Sequence, residues 1–72
     1  MGVERNLEFA SKWFKKAALV GFPDAQYNLG VMYENGEFVK QDLITASMWF
    51  YAASENGNKN AMKRIHGLLN HD

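Results

Sequence analysis

Apolar residues recur along the chain at helical spacing, in two copies. In each copy four of them follow one another at intervals of three and four residues, as on one face of an α-helix. This spacing predicts helices over residues 6–20 and 42–56. The residues are Leu7, Ala10, Phe14 and Ala17 in the first copy and Leu43, Ala46, Phe50 and Ala53 in the second.

Further apolar residues widen both faces. A helix with a broad apolar face is usually sandwiched between neighbours, so we expect these side chains to be buried. Shorter stripes predict two more helices, over residues 23–35 and 59–70, with 37–41 as the longest loop. No segment alternates with a period of two, so we expect an all-α fold without a sheet. The widening residues are Phe9, Trp13 and Val20 in the first copy and Ile44, Met48 and Trp49 in the second.

Residues at the predicted helix ends support these four helices. Asn6 and Asp42 stand where an N-cap side chain accepts from the free amides of the first turn. Pro23 suits a first helical position, where its missing N–H costs nothing. Gly21 and Gly57 stand where a helix closes with a left-handed residue. The local signals therefore agree with the apolar spacing.

An internal repeat with a period of 36 residues organises the chain. Sliding the sequence by 36 residues brings nine identical pairs into register, among them Trp13 and Trp49, the two tryptophans of the chain. The identities are apolar, small or turn-forming, as a shared packing scheme requires. We therefore predict one domain over residues 1–72, with copies 1–36 and 37–72, forming an α-α superhelix of two antiparallel helix pairs. Both tryptophans are expected in like, packed surroundings.

Composition excludes several classes of function. Among 72 residues, 8 basic and 8 acidic side chains balance, which argues against a nucleic-acid partner. A hydrophobic content of 47% is too high for a disordered segment, and the absence of cysteine rules out a thiolate zinc site. No apolar run approaches the ~20 residues of a membrane span, so no membrane partner is expected. The lack of cysteine and of a signal-peptide pattern favours a cytoplasmic location.

Three motifs in order carry a resemblance to a known family. The segment AQYNLGVMYENG at 25–36 is followed by Val-x-x-Asp at 39–42, and then by Ala-x-x-Trp-Phe-x-x-Ala at 46–53 with a closing Gly57. This order resembles the Sel-one-like repeat family, helical solenoids related to tetratricopeptide repeats. The resemblance implies a non-catalytic protein–protein interaction module, an adaptor or scaffold, that needs no cofactor.

Two departures from the family pattern concern packing. Phe38 stands where the family usually has glycine, and the Leu29-Gly30 pair becomes Ile65-His66 in the last helix. Gly30 would let the 23–35 helix approach the 42–56 helix closely. A bulky His66 is harmless if no helix follows, so we interpret the last helix, with its polar tail 70–72, as a C-terminal cap.

The resemblance also implies where a partner would bind. In tetratricopeptide-like arrays the first helix of each pair lines a concave groove, and amides with one tyrosine on that face suit an extended peptide. The alternative is a plain solvated helix face. The candidate groove residues are Asp24, Tyr27, Asn28, Val31, Glu34, Asn35 and Lys63.

Two further hypotheses stay open. Phe9 and Trp13 lack a preceding helix, so they are candidates for self-association, and the chain could be a structural end cap or a homodimerisation unit. Some family members have been linked to hydrolysis of β-lactams or to peptidoglycan, but Ser11, Ser47 and Ser54 lack a lysine three residues on. His66 and His71 point to different helix faces, so no metal site is expected.

Overall fold

The computed structural model describes the backbone of residues 2–69 and the side chains of Phe9 and residues 11–68. Four helices follow one another: α1 (Gly2–Leu19), α2 (Pro23–Asn35), α3 (Leu43–Glu55) and α4 (Lys59–Leu69). Each helix packs against the next one along the chain, in a body of 39 × 28 × 15 Å. No strand occurs in this part of the chain, which confirms the all-α, tetratricopeptide-like superhelix.

The first helix starts earlier than predicted. It begins at Gly2, so Asn6 lies inside α1 and the prediction that Asn6 is an N-cap is wrong. The residues ahead of Asn6 explain the difference, because Glu4 and Arg5 are good helix formers and no proline interrupts the turn. Helix propensity over a full turn therefore outweighs one capping signal.

The other helix ends are where the sequence placed them. Pro23 opens α2, and Gly36 closes it with a φ of 73°. Asp42 caps α3: the backbone N–H of Thr45 donates to its Oδ1 at 3.1 Å, and the Thr45 hydroxyl donates to Oδ2 at 2.9 Å. These hydrogen bonds lower the pKa of Asp42 from its ordinary value of 3.8. Gly57, after α3, has a φ of 109°, which a side chain would make unfavourable.

Asn58 caps the last helix, a role that the sequence analysis did not assign. Its Oδ1 accepts from the backbone N–H of Asn60 at 2.9 Å and of Ala61 at 3.0 Å. Asparagine directly before a helix is a favoured N-cap, so the local signal was present. The predicted polar tail of residues 70–72 lies outside the described residues.

Two clusters of buried side chains form the core. Ala18, Ala25, Leu29 and Met32 make up the first, between α1 and α2, and Trp49 of α3 packs against it. The second lies between α3 and α4 and consists of Ala46, Phe50, Ala53 and Ala61. Both clusters also gain partly buried side chains from α2, so α2 is the central helix of the stack.

Gly30 makes the close approach that the sequence predicts. A Cβ atom built on Gly30 would lie 2.7 Å from two carbons of the Phe50 ring, which is too close for any side chain without a shift. Phe50 itself is fully buried at 0% exposure, so its ring has no free space to move into. The absence of a side chain at Gly30 thus sets the distance between α2 and α3.

The expectation that both copies bury a broad face is wrong. Trp13 is 69% exposed, whereas Trp49 is half-buried against the first core cluster, so the two tryptophans have unlike surroundings. The reason is that no described helix covers the outer sides of α1 and α3. The other widening residues are exposed as well: Phe9, Val20, Ile44 and Met48.

Phe38 adopts a backbone conformation that suits the glycine it replaces. Its φ is 61°, in the left-handed region, where a Cβ atom is strained. It follows Gly36 in the turn that leaves α2. Gln41, further along the same connection, donates from Nε2 to the backbone oxygen of Glu34 at 2.9 Å and fastens the loop to the end of α2.

Candidate functional site

The predicted groove residues lie along α2 and α4, on what we call the α2–α4 face. Three of them are exposed: Asp24, Asn35 and Lys63. The other four are half-buried: Tyr27, Asn28, Val31 and Glu34. Two of them pack against the second core cluster and one pairs with Arg64 of α4, whereas Asn28 borders the space between α1 and α2.

A stack of side chains ties α2 to α4 across this face. The Tyr27 ring tilts against Phe50 with ring centroids 5.5 Å apart. The Arg64 guanidinium lies over both rings, 6.0 Å from the Tyr27 centroid and 5.6 Å from that of Phe50. Glu34 of α2 accepts a hydrogen bond from Arg64 and forms an ion pair with it. Charge and ring contacts therefore hold the two helices in one orientation.

Tyr27 and Val31, which were predicted as groove residues, have a structural role in this fold. Both pack against the second core cluster, so they support the face from below. Asp24 accepts a hydrogen bond from Asn58 Nδ2 at 3.2 Å, which joins the start of α2 to the cap of α4. The polar groups that remain most open to a partner are those of Asn35 and Lys63.

A cleft of about 230 Å³ lies at the far end of the α2–α4 face. Its polar side consists of Asn35, Glu34 and Gln41, and its apolar side of Leu43 and Leu68. Such a mixed lining is typical of a surface that accommodates one side chain of a partner, and it is too small for a drug-sized ligand.

Gln26 is a buried polar residue that the sequence analysis missed. It is 5% exposed, and both the nitrogen and the oxygen of its side-chain amide form hydrogen bonds. Nε2 donates to the backbone oxygen of Ala18 at 3.0 Å, and Oε1 accepts from Asn56 Nδ2 at 3.0 Å. One side chain thus connects α1, α2 and the end of α3, and its hydrogen bonds explain how it can be buried.

A second surface, which we call the α1 face, is apolar and consists of Phe9, Trp13 and Phe22. Phe9 is 63% exposed and Phe22 is exposed to a similar degree. Behind Trp13 lies a cleft of about 430 Å³ between α1 and the start of α2, bordered by Phe14, Phe22 and Asn28. The two residues predicted for self-association, Phe9 and Trp13, both lie on this face and border a smaller cleft with Lys12.

The outer side of α3 carries a third group of exposed apolar residues: Ile44, Met48 and Tyr51. These positions are one and two turns apart and so lie on one side of the helix. Their counterparts 36 residues earlier are charged: Glu8, Lys12 and Lys15. The apolar character of these three positions of α3 is therefore not part of the repeat.

The described residues contain neither a cluster of metal ligands nor a helix suited to cross a membrane. Nowhere among them do three or more histidine, aspartate or glutamate side chains come together as a metal ion would need. His66 is exposed on α4, and His71 lies outside the described part of the chain. Of the described helices, none combines the length and the apolar character that crossing a membrane takes.

The stacked antiparallel helices and the repeated packing positions define an α-helical repeat protein. The family model of the Sel1 repeat matches residues 1–22 and 23–58, most of the chain. The chain belongs to the Sel1 repeat family. The second match begins with α2 and ends after α3, so the family model treats this helix pair as one repeat.

Two fungal proteins are similar to most of this chain. "Chitin synthase regulator SKT5" of Saccharomyces cerevisiae is 32% identical over 62 residues, which is 86% of this chain and 9% of that protein. "Chitin synthase regulatory factor 3" of Schizosaccharomyces pombe is 39% identical over 61 residues, 85% of this chain and 6% of that protein. The chain thus spans less than a tenth of either relative. No solved structure matches the chain.

Family membership points to an adaptor role in protein interaction. Membership of a fold family does not identify a binding surface, because proteins of one fold serve different functions. The class of function therefore follows from the family, and the binding surface has to be argued from this chain's own side chains.

Proposed function

We propose that the chain is a non-catalytic adaptor module that binds an extended segment of a protein partner across the α2–α4 face. The observation that carries this proposal is the fixed stack of Tyr27, Arg64 and Glu34 between the two helices. A face held in one orientation before binding loses little conformational freedom when a partner docks, so its affinity is higher.

The polar side chains on this face, exposed at Asn35 and Lys63 and half-buried at Asn28, suit a peptide backbone. Asn28 and Asn35 carry amides that both donate and accept, as an extended chain with free N–H and C=O groups requires. Lys63 adds one positive charge at the edge, and the Tyr27 ring offers flat contact area. The small cleft beside Asn35 would receive one side chain of the partner. Together these contacts favour a segment with an acidic or neutral character.

The names of the two relatives describe regulators, not enzymes that act on a substrate. By analogy, we propose that this chain influences the activity of the protein it binds by holding it in place. An enzyme partner, of which chitin synthase is the example that those names supply, would then perform the chemistry.

The test uses a displayed library of random 12-residue peptides as the probe. Peptides are selected on the intact chain, and the best binder is measured against a double variant, Asn35→Ala with Lys63→Ala. We expect its Kd to rise at least tenfold, a loss of about 1.4 kcal/mol. Both positions are exposed, so folding should be unaffected.

The matched control changes two exposed lysines of α1, Lys12→Ala with Lys15→Ala, and should leave the Kd unchanged. An equal loss of binding in the control, or full binding by the Asn35/Lys63 variant, would show that the α2–α4 face is not the binding surface. A library that yields no binder for the intact chain would also contradict the proposal.

The exposure of Phe9 and Trp13 favours a second candidate function, in which the chain is a structural unit of a larger assembly. Exposed aromatic residues around a cleft usually mark a contact surface. Another helix would cover the α1 face, either from a longer repeat array or from a second copy of the chain. Sedimentation separates these cases, because only self-association makes the mass depend on concentration and on Trp13.

A further inference from the structure

The repeat itself indicates what fits the α1 face. The pair α3–α4 packs on α1–α2, and in that contact Trp49 lies against a cluster containing Ala25, Leu29 and Met32 of α2. Trp13 holds the same position in the first copy, where no described helix covers it. An α2-like helix, with small and medium apolar residues facing Trp13, would therefore complete the same contact on the α1 face.

The hydrogen bonds that join α2 to the second copy have no counterparts at the α1 face. Within the chain, three polar side chains of the second copy donate hydrogen bonds to α2, where Gln26, Asp24 and Glu34 accept them. At the corresponding positions of the first copy, 36 residues earlier, two of the three are apolar. The internal set is Asn56, Asn58 and Arg64, and the counterparts are Val20, Phe22 and Asn28.

These replacements restrict the chemistry of the occupant. A glutamine at the place of Gln26 would be buried against Val20, which offers no donor, and its Oε1 would lose its hydrogen bond. An acidic residue at the place of Asp24 would face the ring of Phe22. The α1 face thus disfavours a helix with the polar pattern of α2 and favours one that is apolar at those positions.

A second copy of the chain meets part of this requirement and fails at one position. Its α4 carries Met62, an apolar residue, where α2 has Gln26, and this would suit Val20. However, α4 carries His66 where α2 has Gly30. Even a Cβ at Gly30 would lie 2.7 Å from the ring of Phe50, and Phe14 is the counterpart of Phe50 in the first copy. Stacking one copy on another would press His66 into Phe14.

We propose that the α1 face docks a helix of another Sel1-type helix pair, with glycine opposite Phe14 and an apolar residue opposite Val20, and that a second copy of this chain does not fit there. This inference does not depend on the α2–α4 face, since the residues that argue it, Phe14 and Val20, lie outside that face, and the two surfaces share only their border residues Asp24 and Asn28. It makes the α1 face selective among Sel1-type helices.

The experiment adds a third copy to the intact chain. A second set of residues 1–36, carrying Trp13→Phe, is fused ahead of residue 1, so that its α2 can reach the α1 face. Three fusions are compared: one without further change, one with Gln26→Met in the added copy, and one with Gly30→His in the added copy. The accessibility of the native Trp13 is measured by acrylamide quenching of its fluorescence. The contribution of Trp49 is removed by subtracting the signal of a fusion in which the native Trp13 is replaced by phenylalanine. The urea midpoint of each fusion is measured as well.

We expect the Gln26→Met fusion to shield Trp13 and to unfold at a higher urea concentration than the unmodified fusion. The Gly30→His fusion should leave Trp13 as accessible as in the chain alone. The matched control is Gln26→Met in the native copy of the 72-residue chain. There it should lower the urea midpoint, because Asn56 and the backbone oxygen of Ala18 lose their partner.

Several results would overturn the proposal. One is equal shielding of Trp13 by the Gly30→His fusion, and another is a lower midpoint for Gln26→Met in both settings. Failure of every fusion to shield Trp13 would show that no Sel1-type helix fits the face. Sedimentation of the unmodified chain as an oligomer in which Trp13 is shielded would identify a second copy as the occupant.

Discussion

Trp49 and Trp13 occupy the same position in the two copies of the repeat, yet they have different surroundings. Trp49 is half-buried against the core cluster of α1 and α2, whereas the Trp13 side chain is largely exposed beside a cleft of about 430 Å³. The repeated residues therefore specify a contact between helix pairs, and each copy buries its tryptophan only where another pair supplies the opposite side.

The same difference separates the neighbouring residues of the two copies. Phe50 is fully buried beneath Tyr27 and opposite Gly30. Its counterpart Phe14 is half-buried and borders the open cleft. The contact around Phe50 is therefore closed on all sides, whereas the contact around Phe14 is open on one side. Substitutions at these equivalent positions should have unequal effects on the free energy of unfolding.

The largest difference in stability loss is expected between Phe50→Ala and Phe14→Ala. Removing the buried Phe50 ring leaves a cavity that its surroundings cannot fill, and the free energy of unfolding should fall by about 3–5 kcal/mol. Phe14→Ala should cost clearly less, since part of that ring already faces the cleft. Urea unfolding followed by circular dichroism measures both. Equal losses would show that the two contacts are equally complete.

A smaller loss is expected from Gly30→Ala. The added methyl group meets the Phe50 ring at 2.7 Å and must displace it, which should cost about 1–3 kcal/mol of stability. Gly67→Ala on α4 is the matched control, because among the described residues no atom outside its own stretch of helix lies within 4 Å of a Cβ built there. In that helix alanine should stabilise the protein by about 0.5–1 kcal/mol. The account fails if both substitutions change the urea midpoint in the same direction.

The smallest effect concerns the pH dependence of the helix cap, which also differs between the copies. Asp42 caps α3, while its counterpart Asn6 lies inside α1. Hydrogen bonds from Thr45 lower the pKa of Asp42 in the folded chain below its ordinary value of 3.8. The cap therefore stabilises the fold above that ordinary value, and this stabilisation is lost as the pH falls through the lowered folded value.

Asp42→Asn supplies the comparison, since asparagine caps a helix without a charge. The difference in urea midpoint between the original chain and this variant should be constant near neutral pH and should move in favour of the variant in strong acid. A difference that does not change with pH would mean that the Asp42 carboxylate contributes no charge-dependent stability.

Much of the fold could be predicted because its signals are local. The caps and closing residues, such as Asp42 and Gly57, act on the turn next to them, and Gly30 lies in a short motif whose packing role is readable from the sequence. The start of α1 was missed because Asn6 could serve either as a cap or as an interior residue, and the preceding turn decided between them.

The long-range contacts could not be predicted in the same way. Arg64 contacts Glu34, and Asn56 contacts Gln26, across 30 residues of sequence in each case. Nothing in the neighbourhood of Arg64 distinguishes it from Lys63 beside it. Whether Trp13 is packed or exposed stayed open in the sequence, because an apolar helical stripe reveals that a residue is suited to a contact and does not reveal whether a neighbour is present.

The most direct test of the account is the accessibility of each tryptophan in the intact chain. Acrylamide quenching is measured on the chain, on Trp13→Phe and on Trp49→Phe, with circular dichroism to verify that each variant is folded. The account predicts that Trp13, left alone in Trp49→Phe, is quenched strongly and emits at long wavelength, while Trp49, left alone in Trp13→Phe, is shielded. Equal quenching of the two tryptophans, or a shielded Trp13 in a monomer, would contradict it.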